Sequence, residues 1–342
     1  MKSKIIQKSN LSHTGTTGPI SEIQSLLEDV RYILVASHVD PDGDSLGTQL
    51  AFASYLRHLG KEVYLVRESE VPAKYRFLPG INAITPVSSY SKDFLVSTAL
   101  ILECPNVERI GQASRFLTPN AKIINIDHHQ DNDRYGDINW INTEVSSVGE
   151  MAFEYFQQVG FQITVDTAEQ LYTAILTDTG RFRYSSTSSQ TMAIAGRLIE
   201  AGANPQKICD NVYYNLRPSS MKLIGKVLNV IEFFDEGSIC LLTLTQQMLN
   251  ESNAEASESE GLVDFTLFTE GVVAGALVKE IDTHQTKVSL RSRDSVNVAT
   301  VAARFGGGGH FNASGCILPV GLTEAKKEII KLLREARDGR TR

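Results

Sequence analysis

Four short stretches of the sequence gather acids and histidines directly behind apolar runs. His38-Val39-Asp40-Pro41-Asp42-Gly43-Asp44-Ser45 places carboxylates at alternating positions of a Pro/Gly turn, with an imidazole at its head. Such a turn aims several oxygens at one centre, and mixed oxygen and nitrogen donors suit divalent cations. Asp, Pro and Gly are also the ordinary residues of a solvated turn, so the octapeptide alone does not decide. Asp127-His128-His129 follows the Ile123 to Ile126 run and offers a ligand, a group to orient it, and an acid or charge donor. A lone histidine pair is more often structural; its place at the same sheet edge as the first cluster changes that weighting. Glu103 in Leu102-Glu103-Cys104-Pro105 and Asp178 in Ile175-Leu176-Thr177-Asp178-Thr179-Gly180 are single acids that a helix cap or turn also explains. Together the four stretches supply three histidines and six carboxylates, stock enough for two metal ions bridged by one carboxylate.

A fifth constellation lies late in the chain. Gly306-Gly307-Gly308-Gly309-His310 follows Ser289-Leu290-Arg291-Ser292. Consecutive glycines let backbone N–H groups approach an anion, and an arginine fork grips phosphate. A flexible tight turn is the plain alternative. Arg291, Ser292, Gly307, Gly308, Gly309 and His310 are the candidate substrate-binding set. Weaker candidates are Ser146-Ser147 with Glu150, which also reads as a helix start, Arg181 and Arg183, and the Tyr213-Tyr214 pair, read as packing.

These residues need elements to hold them. Ser21-Glu22-Ile23-Gln24 has capping-box spacing for a first helix. Tyr32 to Ala36, Val63 to Val66, Ala99 to Leu102 and Lys122 to Ile126 read as buried parallel strands, with an amphipathic helix from Leu46 to Leu59 and crossover helices between. Alternating strands and helices imply a doubly wound parallel sheet, which binds ligands beyond the carboxyl ends of its strands. The conspicuous acids and histidines fall there. Further on, Ile239 to Thr245, Gly271 to Lys279 and Lys287 to Arg291 read as strands of a second, smaller α/β unit, closed by a helix from Thr323 to Arg337. The acidic stretch Glu251 to Glu260 reads as a solvated loop or helix entry. The predicted organisation is a mobile segment 1–19, a catalytic domain 20–203, a linker 204–220 with two prolines, and a substrate domain 221–342.

Composition narrows the field. The 342 residues exceed what one core usually supports, and 42% hydrophobic content is ample for two. No run reaches the length of a membrane helix and the first twenty residues lack the order of a secretory signal, so the expected location is the cytoplasm, with no membrane partner. Cys104, Cys209, Cys240 and Cys316 are widely spaced and read as structural. A net charge of −7 argues against tracking long duplex nucleic acid, but metal ions can reverse the sign locally for a small phosphorylated substrate.

The order H-x-x-P-D-x-D, an acid after a strand, D-H-H and a further Asp resembles the four motifs of the DHH phosphoesterase superfamily. The stretch Gly306 to Gly315 resembles the signature of its DHHA1 substrate domain. The likeness runs from about Tyr32 to Ile317 and is nearest to the nanoRNase and 3′-phosphoadenosine-5′-phosphate (pAp) phosphatase subfamily. It implies an active site in an interdomain cleft, with His38 and Asp42 on one metal, Asp44, His128 and Asp178 on the other, and Glu103 bridging. Asp127 would orient, and His129 would lie beside the scissile phosphate. The family usually has Asp where Glu103 stands. Its extra methylene sets the bridging oxygens about 1.5 Å further from the backbone, which bears on metal stoichiometry and rate rather than fold.

The implied cofactor is a pair of divalent ions, Mn²⁺ first, with Mg²⁺ or Co²⁺ as substitutes. The implied partners are short oligoribonucleotides, pAp or dinucleotides, with a homodimer as a possible assembly. A cyclic or linear dinucleotide phosphodiesterase, or an inorganic pyrophosphatase, is the alternative within enzymes. A nucleotide-binding regulator with weakened catalysis is the alternative outside them, and Glu103 is its motive.

Overall fold

Runs that are apolar at every position form strands only where both faces of a sheet are covered. The computed structural model describes residues 18–91, 94–293 and 295–339, and its chain divides into two units at Tyr214/Asn215. Most of the expected mobile segment 1–19 lies outside the described residues. In the first unit the order is α1 (Pro19–Glu28), β1 (Tyr32–Ala36), α2 (Gly43–His58), β2 (Glu62–Arg67), β3 (Ile84–Pro86), β4 (Val96–Leu102), β5 (Leu117–Asp127), β6 (Ile138–Ile141), α3 (Val148–Gln158), α4 (Val165–Asp178), α5 (Ser189–Glu200) and α6 (Pro205–Tyr213).

The six strands are parallel in the order β3-β2-β1-β4-β5-β6. The order reverses between β1 and β4, and that switch point opens a crevice beyond their carboxyl ends. In β1, Ile33 and Val35 join the core under the helices while Leu34 and Ala36 join the core on the opposite face, all fully buried. Each large side chain so buried contributes about 1.5–3 kcal/mol. The opposite face is covered by 3₁₀ turns, including Glu108–Phe116, and by the Tyr90, Phe94 and Phe116 rings, where the sequence suggested crossover helices.

Helix α2 is buried on nearly every side rather than amphipathic, and it starts at Gly43, three residues before the expected Leu46. The reason is its neighbour α4. A Cβ on Gly43 would stand 2.3 Å from Thr177 Oγ1, and one on Gly47 would stand 2.4 Å from the Gln170 carbonyl. Two glycines four apart therefore let α2 lie directly against α4, and their antiparallel run sets the first turn of α2 beside the last turn of α4.

Proline placement corrects two boundaries. Pro19 begins α1 after Gly18, and the Ser21 hydroxyl donates to the Gly18 carbonyl instead of forming the expected capping box. Residues 204–220, expected as a linker, contain the division between the units at Tyr214/Asn215 and are mostly helical: Pro205 and Pro218 occupy the first helical positions of α6 and α7 (Pro218–Asn229), where a missing N–H costs nothing.

The second unit continues with β7 (Glu232–Phe234), β8 (Ile239–Leu244), α8 (Gln246–Ser252), β9 (Ala274–Glu280), β10 (Thr286–Ser292), α9 (Ala299–Ala303), β11 (Gly308–His310), β12 (Ala313–Leu318) and α10 (Leu322–Arg337). Its sheet runs β11-β12-β10-β9-β8-β7, antiparallel except for the β8–β9 pair. The acidic stretch is structured rather than solvated throughout: Glu258 accepts from the Ser219 and Ser220 hydroxyls at the start of α7. Among the described residues no helix is long and apolar enough to cross a membrane.

Candidate active site

The crevice at the β1/β4 switch collects the candidates of the first unit. His38 follows β1 and Glu103 follows β4; Asp127 ends β5, with His128 and His129 just past it; Asp178 ends α4. Asp42 caps α2, its carboxylate accepting from the Ser45 amide at 3.0 Å while Ser45 Oγ accepts from the Asp42 amide at 2.8 Å. Asp44, fully buried in the first turn of α2, accepts from the amides of Val148 and Gly149 at 2.7 and 2.8 Å. The positive end of α3 thus faces this carboxylate.

Donor atoms of His38, Asp42 and Glu103 lie within 4.8 Å of one another, and so do those of Asp44, Glu103 and His128. Glu103 belongs to both groups. Asp178 Oδ2 is 3.2 Å from His128 Nε2, and His129 Nε2 is 3.8 Å from Glu103 Oε1. His38 Nε2 approaches Glu103 Oε2 to 2.6 Å, yet that oxygen makes no hydrogen bond of acceptable geometry, and His38 Nδ1 has no partner. Lone pairs so arranged converge on the space between them rather than on each other. That convergence and the mixed imidazole and carboxylate donors fit divalent cations.

The electrostatics agree. Burial first, then Asp42, push Asp44 up to about 8. Burial and the surrounding carboxylates hold Glu103 and Asp178 well above the usual carboxylate range. Asp178 also sits at the C-terminal, negative end of α4, where an anion is unfavourable without a counter-cation. Burial pushes both His38 and His128 down to about 4, leaving them neutral donors. Asp42 runs the other way: burial raises it, but His38 and Ser45 together bring it below its ordinary value. At Asp127 burial is outweighed by the His129 hydrogen bond and further contacts, down to about 2; at His129 burial lowers it, but the same bond and the Asp127 charge together raise it.

Asp127 Oδ1 accepts from the His128 amide (2.8 Å) and meets His129 Nδ1 (2.7 Å); Oδ2 accepts from Asn132 Nδ2 (2.6 Å). Asn132 and its neighbours were not singled out from sequence. Asn125, Asn132 and Tyr135 all donate to the Cys104 carbonyl, one residue past Glu103. Glu103 itself has a left-handed backbone (φ 51°), a conformation that costs a non-glycine residue energy. Three donors on the next carbonyl, and the Glu103 amide bonded to Ile126 O at 3.0 Å, hold that turn. The available signal was Asn125, a polar residue inside a buried strand, which requires partners.

In the second unit, Arg291 on β10 pairs with Ala313 on β12, which pairs with His310 on β11. Directly opposed residues share a face, so Arg291 and His310 flank a small alanine. Arg291 Nε donates to Asp264 Oδ1 at 2.9 Å and Nη1 to the Leu290 carbonyl at 3.0 Å, a partner the sequence did not suggest. Ser292 points to the opposite face, its hydroxyl donating to Val296 O and accepting from Asn312. Gly307 and Gly309 permit close strand approach: a Cβ would stand 2.2 Å from Gly315 O and 2.6 Å from Ala313 O, respectively. Gly308 pairs with Gly315. Of the weaker candidates, Arg181 stacks on Tyr213 and Arg183 on Tyr184, while Ser147 caps α3.

The model of the DHH family, N-terminal domain, matches residues 32–175, and that of the DHHA1 domain matches residues 237–337. The chain is 30% identical over 318 residues to the bifunctional oligoribonuclease and PAP phosphatase NrnA of Thermus thermophilus, covering 92% of this chain and 93% of that one. It is 28% identical over 286 residues to the protein of the same name from Bacillus subtilis, covering 83% and 88%. Among solved structures, an exopolyphosphatase-related protein from Bacteroides fragilis superposes with TM-score 0.87 at 27% identity, covering 95% of this chain and 98% of that one.

Proposed function

The chain belongs to the DHH family, whose members hydrolyse phosphoester bonds, and we propose that it cleaves short oligoribonucleotides and pAp with two divalent metal ions. The observation that carries this reading is the sharing of Glu103 between two buried donor groups. His38 and Asp42 would hold one ion, and Asp44, His128 and Asp178 the other, with Glu103 common to both. Mn²⁺ is the preferred ion on donor chemistry, and Mg²⁺ or Co²⁺ its substitutes. When bound, such a pair supplies a nucleophilic water at neutral pH and charge for the phosphoryl oxygens.

The chain's own groups then have distinct tasks. Asp127 fixes the orientation of His129, so that Nε2 faces the Glu103 side of the pocket and carries a proton toward a phosphate or leaving oxygen. Arg291, held from one side by Asp264, and His310 take a terminal phosphate across Ala313, with the Gly308 backbone two residues along β11. The enzyme would act in the cytoplasm. The test is an assay of purified protein with Mn²⁺ against pAp, a dinucleotide, a longer RNA, a cyclic dinucleotide and pyrophosphate. Turnover of pAp and the dinucleotide is expected, and its loss in Asp42→Ala or Asp44→Ala with the fold retained. Near-normal turnover in either variant would show the site to be misplaced. Cleavage of only the cyclic dinucleotide or pyrophosphate would overturn the substrate reading.

A further inference from the structure

Glu150 is 2% exposed, lies in the first turn of α3, and has no part in the chemistry above. Its Oε2 accepts from the Ser146 hydroxyl (2.7 Å), the Ser146 amide (3.2 Å) and the Thr191 hydroxyl (3.0 Å). Thr191 belongs to the capping box that opens α5. One carboxylate oxygen therefore ties the chain entering α3 to the start of a different helix. A buried acceptor with three donors is costly to remove, because each donor is left without water or partner.

The turn secured in this way, residues 145–149, reaches the pocket twice. The Val148 and Gly149 amides hold the two oxygens of Asp44. The His128 ring hydrogen-bonds the Val145 backbone. Asp44 and His128 are the donors assigned to the same ion. His38 and Asp42 depend on other features, the end of β1 and the Ser45 capping turn.

We propose that Glu150 is a positioning residue for one ion of the pair: by fixing the Ser146 turn it sets Asp44 and His128 together and leaves the His38/Asp42 side unaffected. The proposal rests on the metal assignment given under Proposed function. Its distinguishing consequence is asymmetry. A residue that merely stabilised the unit would weaken both ion sites alike or neither.

The experiment is Mn²⁺ titration of the metal-free full-length protein by calorimetry, with Mn²⁺ paramagnetic resonance as a second count of bound ions. The parent is compared with Glu150→Ala, Glu150→Gln and Lys207→Ala. Lys207 is the stability control, since it donates to the buried acid Glu169 on α4 at 2.7 and 2.9 Å, outside the 145–149 turn. The parent should bind two ions. Glu150→Ala should keep one at parental affinity and lose at least tenfold on the other, with excess Mn²⁺ restoring kcat. Glu150→Gln should recover most of the loss, because its amide oxygen accepts the same donors. Lys207→Ala should destabilise the first unit, read by hydrogen exchange, and leave both affinities in place.

Parental affinity at both sites in Glu150→Ala overturns the proposal, and so does an equal loss at both sites or a loss matched by Lys207→Ala. If Glu150→Ala fails to fold, Thr191→Val removes one donor of the three and is read by the same criterion. A parent that binds fewer than two ions sinks the two-ion reading and this proposal with it. A parent that binds two separates the outcomes.

Discussion

Replacing Asn132 tests whether Asp127 works as a buried carboxylate. Asn132 Nδ2 lies 2.6 Å from Asp127 Oδ2, 2.9 Å from Asn125 Oδ1 and 3.4 Å from the Cys104 carbonyl, and its Oδ1 accepts from the Arg134 amide at 2.7 Å. Asn132→Ala deletes a hydrogen bond to a charged acceptor, a loss of about 1.5–3 kcal/mol, and leaves Asn125 Oδ1 short of a donor, about 1 kcal/mol more. The first unit should be destabilised by roughly 2–4 kcal/mol. With the Asp127–His129 pair loosened, kcat should fall about tenfold while KM changes little. Asn132→Asp is the sharper variant. It conserves volume but sets an oxygen where the 2.6 Å donor stood, a repulsion of about 6 kcal/mol at an effective dielectric of 20, before relaxation or proton uptake. Packing alone ranks Asp milder than Ala; electrostatics ranks it worse. Stability should be read by hydrogen exchange resolved to the first unit, because a chain of two units does not unfold in one transition. Activity is read as kcat and KM for pAp. An Asn132→Asp protein more stable or more active than Asn132→Ala would refute the reasoning.

Three further outcomes are expected. Arg291→Ala should raise KM for pAp about 10- to 100-fold with kcat largely kept, the value of a charge-assisted phosphate contact; an unchanged KM counts against that role. Glu103→Gln keeps size and removes charge between the two donor groups, so metal content by elemental analysis should drop with turnover. Glu103→Asp then reads whether the left-handed turn has adapted to the longer side chain: a fall in Mn²⁺ affinity and kcat says that it has, a rise in both that Glu weakens the site. Gly307→Ala would put a Cβ 2.2 Å from Gly315 O, so the second unit should lose about 1–3 kcal/mol while the metal content of the first is retained, measured by domain-resolved unfolding and elemental analysis.

The parts of the fold that sequence makes legible are those with a single physical cause. Four largely apolar runs announced four of the six parallel strands, and the acids beyond them fell at the carboxyl ends of those strands. The short strands β3 and β6, of 3 and 4 residues, are too brief to show a pattern of their own, and they are held by their neighbours. Helix α2 was misread as amphipathic because its small residues, Gly43, Gly47, Ala51 and Ala53, are buried without being strongly hydrophobic; periodicity of large side chains is blind to them. The prolines near residue 210 suggested a linker because proline breaks helices in their interiors, yet here each begins one. The candidate donors were visible because acids and histidines gather directly behind apolar runs. Their supports Asn132 and Glu150, and Asp264 behind Arg291, were less so, since an asparagine or a lone acid takes its meaning only from what folding brings within about 3 Å.

Every proposed metal donor lies between His38 and Asp178, inside the unit that closes at Tyr214. A chain leaves the ribosome amino end first, at about 5–20 residues per second, and domains fold as units. Residues 215–342 therefore occupy on the order of ten seconds of synthesis after the last donor has emerged. For much of that interval a finished first unit presents acidic, buried donors to the cation pool of the cell, before Arg291 and His310, the residues proposed to hold substrate, have been made. Order of synthesis thus favours loading metal before any nucleotide can compete for the pocket, so the ion found in the mature enzyme would reflect what was abundant beside the ribosome as much as what the donors prefer.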